Sequence, residues 1–143
     1  MKDKDILILY LEDYQYVLDT GVHLMRKFWS QECIGARSRE RGLEILDEWQ
    51  AEGKQPNLAV LDRGILEYED DDMEDAEAGN DLYLDLVTRG IPVAVFSSDH
   101  DNLHHEEPFF SHPPSLGIYS KDPMEYNLKE VVENYKQLQK EAE

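Results

Sequence analysis

Short apolar runs alternate along this chain with longer stretches in which apolar residues recur every three or four positions. The runs at 6–11, 32–36, 58–61, 92–96 and 116–119 predict five strands. Between them, Val17, Leu18, Val22, Met25 and Phe28 have helical spacing, as do Leu43, Ile45, Leu46 and Trp49 and, more crudely, Leu82, Leu84, Leu86 and Val87. Tyr126, Leu128, Val131, Val132, Tyr135 and Leu138 predict a last helix that starts after Pro123 and frays at Lys140-Glu-Ala-Glu143. Strands alternating with helices predict an α/β domain, a parallel sheet covered by helices on both faces. No repeat or linker divides it, so residues 1–143 read as one domain.

Two segments break the pattern. The connection 63–79 is much longer than the ~2–6 residues usual between strand and helix, and it carries Glu67, Glu69, Asp70, Asp71, Asp72, Glu74, Asp75 and Glu77. The stretch 99–115 should hold a helix between the fourth and fifth strands, but Pro108, Pro113 and Pro114 exclude a full regular one.

Charge narrows the function. Acidic residues outnumber basic ones 32 to 14, giving a formal charge of -18, which repels nucleic-acid phosphate and anionic membrane and favours basic partners. The lone Cys33 cannot form an internal disulfide and reads as a small buried apolar residue. No apolar stretch spans a bilayer, and the Met1-Lys-Asp-Lys-Asp start lacks the core of a signal peptide, so the chain reads as soluble and cytoplasmic.

Three acids stand where strands end. Asp62 closes Asn57-Leu-Ala-Val-Leu-Asp62, and Glu12 and Asp13 follow Ile6-Leu-Ile-Leu-Tyr-Leu11. In open α/β sheets the carboxyl ends of strands are where ligands bind, so two parallel strands would gather these acids at one edge. Clustered carboxylates repel one another, and a hard divalent cation relieves that repulsion, so Mg²⁺ is the expected cofactor.

With these residues in order, the chain resembles a response-regulator receiver domain of two-component signalling. The resemblance implies a flavodoxin-like, doubly wound five-stranded sheet in the order 2-1-3-4-5. It assigns Glu12 and Asp13 to Mg²⁺ binding, Asp62 to phosphoryl acceptance and metal ligation, and the Gly64 backbone carbonyl to the same metal. Ser97, in Val95-Phe-Ser-Ser98, would hydrogen-bond the phosphoryl group, and Lys121, in Tyr119-Ser-Lys-Asp-Pro123, would pair with its oxygens. Ser98 takes a place the family usually gives to a very small residue. The donor would be a histidine kinase or a histidine phosphotransfer protein. With no effector module expected after the last helix, output is expected through partner binding or phosphorelay, and not through metabolic catalysis.

The family pattern is broken in three places. Gly79-Asn-Asp-Leu82 looks like the usual start of the third helix, which makes 67–78 an acidic insertion: a solvated loop, a docking arm for a basic protein, or a nucleic-acid mimic. The family's aromatic on the fifth strand, three residues before the lysine, is replaced by Ile118, with Tyr119 on the opposite strand face. The fourth-helix region at 99–115 is irregular. Within it, His100, His104, His105 and His112 raise the alternative of a second metal site, against exposed loop histidines.

Taken singly, Glu12 and Asp13 also read as acids at a helix start near Tyr14, Asp62 as a turn residue, and Lys121 as a surface lysine. Two other functions fit the same residues: a phosphorylation-independent binding protein that works through its acidic loop, and a Mg²⁺-dependent phosphatase or nuclease. The latter lacks a second acid or base beside Asp62.

Overall fold

The chain is described from a computed structural model that covers residues 6–29, 32–98 and 100–142. The opening Met1-Lys-Asp-Lys-Asp and the side chain of His100 lie outside the described residues. The element order is β1 (Leu7–Leu11), α1 (Gln15–Phe28), β2 (Glu32–Ala36), α2 (Arg39–Ala51), β3 (Leu58–Asp62), α3 (Ala76–Thr88), β4 (Val93–Phe96), α4 (His100–Leu103), β5 (Ile118–Tyr119) and α5 (Met124–Ala142). The five strands pair in parallel in the order 2-1-3-4-5, as expected.

Every residue of β1 and β3 is buried, the mark of central strands covered on both faces, and this is why they read as continuous apolar runs. Alternate side chains serve the two faces. Leu9, Leu11, Leu61 and Val95 pack with Ile45, Leu82 and Leu86 of α2 and α3. Ile8, Tyr10, Val60 and Phe96 pack with Met25 of α1 and Leu128 and Val131 of α5.

The structure departs from expectation at the fifth strand and at the start of α3. β5 holds only Ile118 and Tyr119, not 116–119. Leu116 and Gly117 still bond to β4, but Gly117 has a φ of 99°, which breaks the extended geometry. Second, α3 starts at Ala76, three residues before the glycine expected to open it, because the Asp75 side chain accepts from the Glu77 N–H at 2.9 Å and caps the helix. In the stretch where prolines exclude a full regular helix, α4 is a single turn. Leu103 and Phe109 fill the core over it, with the Phe109 ring 4.8 Å from Tyr83.

The acidic connection is anchored at both ends. Leu66 bridges Ser38 beyond β2, and Ile65 bridges Asp75. Arg39 pairs with Glu67 at 3.1 Å, and the Ser38 hydroxyl donates to Glu69 at 2.8 Å. No helix among the described residues is long and apolar enough to cross a membrane.

Gly79 lies within α3 against the backbone of the turn that follows Asp62, and a Cβ there would overlap the Arg63 carbonyl oxygen. Gly79→Ala should therefore lower stability by about 2–3 kcal/mol despite the better helix propensity of alanine. Urea denaturation measures this, and an unchanged midpoint would refute the close packing.

Candidate functional site

Sheet register brings the site together. Leu11 pairs with Leu61, Asp62 with Phe96, and Phe96 with Tyr119, so the residues at and just beyond these positions share the carboxyl edge. Glu12 continues β1, its N–H donating to the Ala36 carbonyl at 3.1 Å, and Ser97 continues β4, its N–H donating to the Tyr119 carbonyl at 3.0 Å. The Arg37 guanidinium donates to the Asp13 carbonyl at 2.7 Å and fixes the turn into α1.

Around Asp62 the expected residues converge. Lys121 Nζ is 2.6 Å from Asp62 Oδ2 and 3.4 Å from Glu12 Oε1. The other Asp62 oxygen accepts from the Gly64 N–H at 3.2 Å, and Glu12 Oε2 accepts from the Tyr14 N–H at 3.3 Å. Glu12, Asp13 and Asp62 each offer a carboxylate oxygen, all within 4.8 Å of one another. Glu12, Asp62 and Ser97 are buried, so none is an ordinary solvated turn residue. Glu12 does accept from the Tyr14 N–H at the start of α1, but its burial and its contact with Lys121 set it apart from a solvated capping acid.

Electrostatics follow from this crowding. Burial, then the hydrogen bond and charge of Asp62, push the Glu12 carboxyl well above the usual range. Burial would lower the Lys121 ammonium, but the hydrogen bond and charge of Asp62, joined by Glu12, outweigh it and raise the group. The donor set is all oxygen and carries excess negative charge, which fits a hard divalent cation such as Mg²⁺.

A cleft of about 190 Å³ opens beside Asp62, lined by Gly64, Glu74, Ser97, Ser98 and Lys121 among others. Glu74 was not singled out in the sequence. It belongs to the acidic connection, and only the pairing of Ile65 with Asp75 returns it to the sheet edge. A larger groove of about 320 Å³ near Tyr83 and His112 contains no carboxylate.

Other expected features lie apart from this cleft. Ile118 packs at the α2 and α3 core, whereas Tyr119 stacks on Phe96 at 5.2 Å and donates its hydroxyl proton to the Leu116 carbonyl at 2.7 Å. His104, His105 and His112 are exposed, and among the described residues only Glu12, Asp13 and Asp62 form a group suited to a metal. Cys33 is buried, and burial pushes its thiol up to about 12, which suppresses reactivity.

No protein-family model and no curated protein matches the sequence. Solved structures do match. A response-regulator receiver domain protein from Clostridium thermocellum is 16% identical with a TM-score of 0.71, and the match covers 96% of this chain and 99% of that one. The chain has the receiver-domain fold. The signal receiver domain of a modulated diguanylate cyclase from Desulfovibrio desulfuricans G20 matches at 16% identity and TM-score 0.71, covering 97% and 100% of the two chains. A response regulator receiver protein from Burkholderia phymatum matches at 15% and 0.69, covering 92% and 96%. At these identities the likeness carries the receiver fold, and the chemistry rests on the residues of the cleft.

The raised Glu12 group makes stability depend on pH. The native state keeps a proton that the unfolded chain releases near ~4.3, so without divalent cation stability falls as pH rises from there toward the raised native value. Glu12→Gln should remove this loss and stabilise the protein in chelator at pH 8 by about 1 kcal/mol or more, since each pKa unit corresponds to ~1.4 kcal/mol. Denaturation of both proteins at pH 6 and pH 8 measures the difference, which should be larger at pH 8.

Proposed function

We propose that this protein is a phosphorylation switch in which Asp62 accepts a phosphoryl group, with Mg²⁺ required, from a histidine kinase or a histidine phosphotransfer protein. The observation that carries the reading is the Lys121 to Asp62 contact of 2.6 Å beside three carboxylates at the carboxyl edge of a receiver fold. An Asp62 oxygen bonds to phosphorus, the phosphorus–nitrogen bond of the phosphohistidine breaks, and its electron pair returns to the imidazole. The product is an acyl phosphate on Asp62, later hydrolysed by water to carboxylate and inorganic phosphate.

Glu12, Asp13, Asp62 and the Gly64 carbonyl would hold Mg²⁺, which supplies positive charge against the phosphoryl oxygens. Lys121 already pairs with the carboxylate that attacks, and after transfer it would pair with an anionic oxygen of the phosphoryl group gained by Asp62. The Ser97 hydroxyl donates to another oxygen, and the buried walls limit water around the acyl phosphate. Because catalysis here is positioning and charge neutralisation, the protein is a phosphoacceptor and not a metabolic enzyme. Its place is the cytoplasm, and its output passes through protein contacts or onward relay. The charge of -18 supports basic protein partners and disfavours direct nucleic-acid binding.

Intact-protein mass after incubation with acetyl phosphate tests the proposal. One phosphoryl adduct should form with Mg²⁺, fail to form with chelator, and be absent in Asp62→Asn. An adduct that persists in Asp62→Asn would overturn the assignment. No adduct on folded wild-type protein would favour a binding protein that acts without phosphorylation, through its acidic loop.

A further inference from the structure

Glu74 occupies a place that no reading of strand ends assigns. The next residue, Asp75, is fixed twice: its N–H donates to the Ile65 carbonyl at 2.7 Å, and its side chain caps α3. Glu74 is thereby carried back over the turn that follows Asp62. Its carboxylate lies where a side chain on residue 64 would be. A Cβ built on Gly64 meets Glu74 Oε2 at 2.5 Å and its Cδ at 2.7 Å. The glycine thus leaves a seat that a carboxylate from ten residues further on fills, facing the cleft that also holds Asp62, Ser97 and Lys121.

We propose that Glu74 is a fourth carboxylate of the divalent-cation site, delivered by the acidic connection and acting on the ion through its bound water. This rests on the cation site proposed above. Glu74 is not one of the three acids whose oxygens lie within 4.8 Å of one another, so it stands outside the group that would touch the ion. Mg²⁺ characteristically keeps several waters, and a carboxylate at that distance accepts hydrogen bonds from them while adding negative charge. Lys121 offsets the charge of Asp62, so Asp13 and Glu74 add the negative charge that favours a cation here.

Calorimetric titration of the full chain with MgCl₂ tests this. Glu74→Gln keeps the volume and removes the charge, and it should weaken Mg²⁺ binding about fivefold, as expected for one charge acting across water near a surface. Gly64→Ala keeps every charge but evicts the carboxylate from its seat, and it should weaken binding in the same direction. The melting temperature of Glu74→Gln in chelator should not fall, because removing one of several like charges relieves repulsion. A fall would mark Glu74 as a structural contact and overturn the proposal. Unchanged Mg²⁺ affinity in Glu74→Gln, with weakened affinity in Asp13→Asn, would make Glu74 a space filler and leave the three-acid site standing. Wild-type protein that takes up no Mg²⁺ would overturn both the cation site and the role of Glu74.

Discussion

Burial of both faces of the sheet is the constraint on which the rest of this molecule depends. With every residue of β1 and β3 enclosed, polar chemistry has no place along the strands and is displaced to their ends. The buried polar side chains among the described residues are Glu12, Ser38, Asp62 and Ser97, and each ends or closely follows a strand at the carboxyl edge. Such concentration has a cost, because enclosed like charges repel and lose water. Lys121 offsets part of that cost through its contacts with Asp62 and Glu12.

The central strands were legible because enclosure on two sides demands unbroken apolar sequence, and β1 and β3 supply it. Their order in the sheet was not written in periodicity. It came with the resemblance, which rested on which residues stand at successive strand ends. The edge of the sheet was harder to read. The run at 116–119 looks like a strand, yet its glycine takes a φ of 99° and only two residues remain extended. The start of α3 was hidden for another reason: in a segment crowded with acids, composition does not reveal that Asp75 is the one that caps.

The same contrast holds in the cleft. Glu12, Asp13, Asp62, Ser97 and Lys121 were legible because a parallel register places strand ends side by side, so order in sequence becomes proximity in space. Glu74 depends instead on a bridge between Ile65 and Asp75 across a long connection, and spacing cannot foretell such a bridge. The only local hint was Gly64, whose missing side chain makes room. Tyr119 was correctly assigned to the opposite face from Ile118. What it does there, stacking on Phe96 and bonding to the Leu116 carbonyl, emerges only from the packed structure.

The two bridges that pin the acidic connection also separate its length from the geometry of the sheet. Leu66 is held to Ser38 and Asp75 to Ile65, so the stretch between leaves and returns at fixed points. Lengthening a loop whose ends are already held costs little, about 0.6 kcal/mol for each doubling. The crown between Tyr68 and Met73, both largely exposed, is thus a natural grafting point: foreign peptide placed there would be displayed beside the cleft, with the β3 turn and the α3 cap left intact.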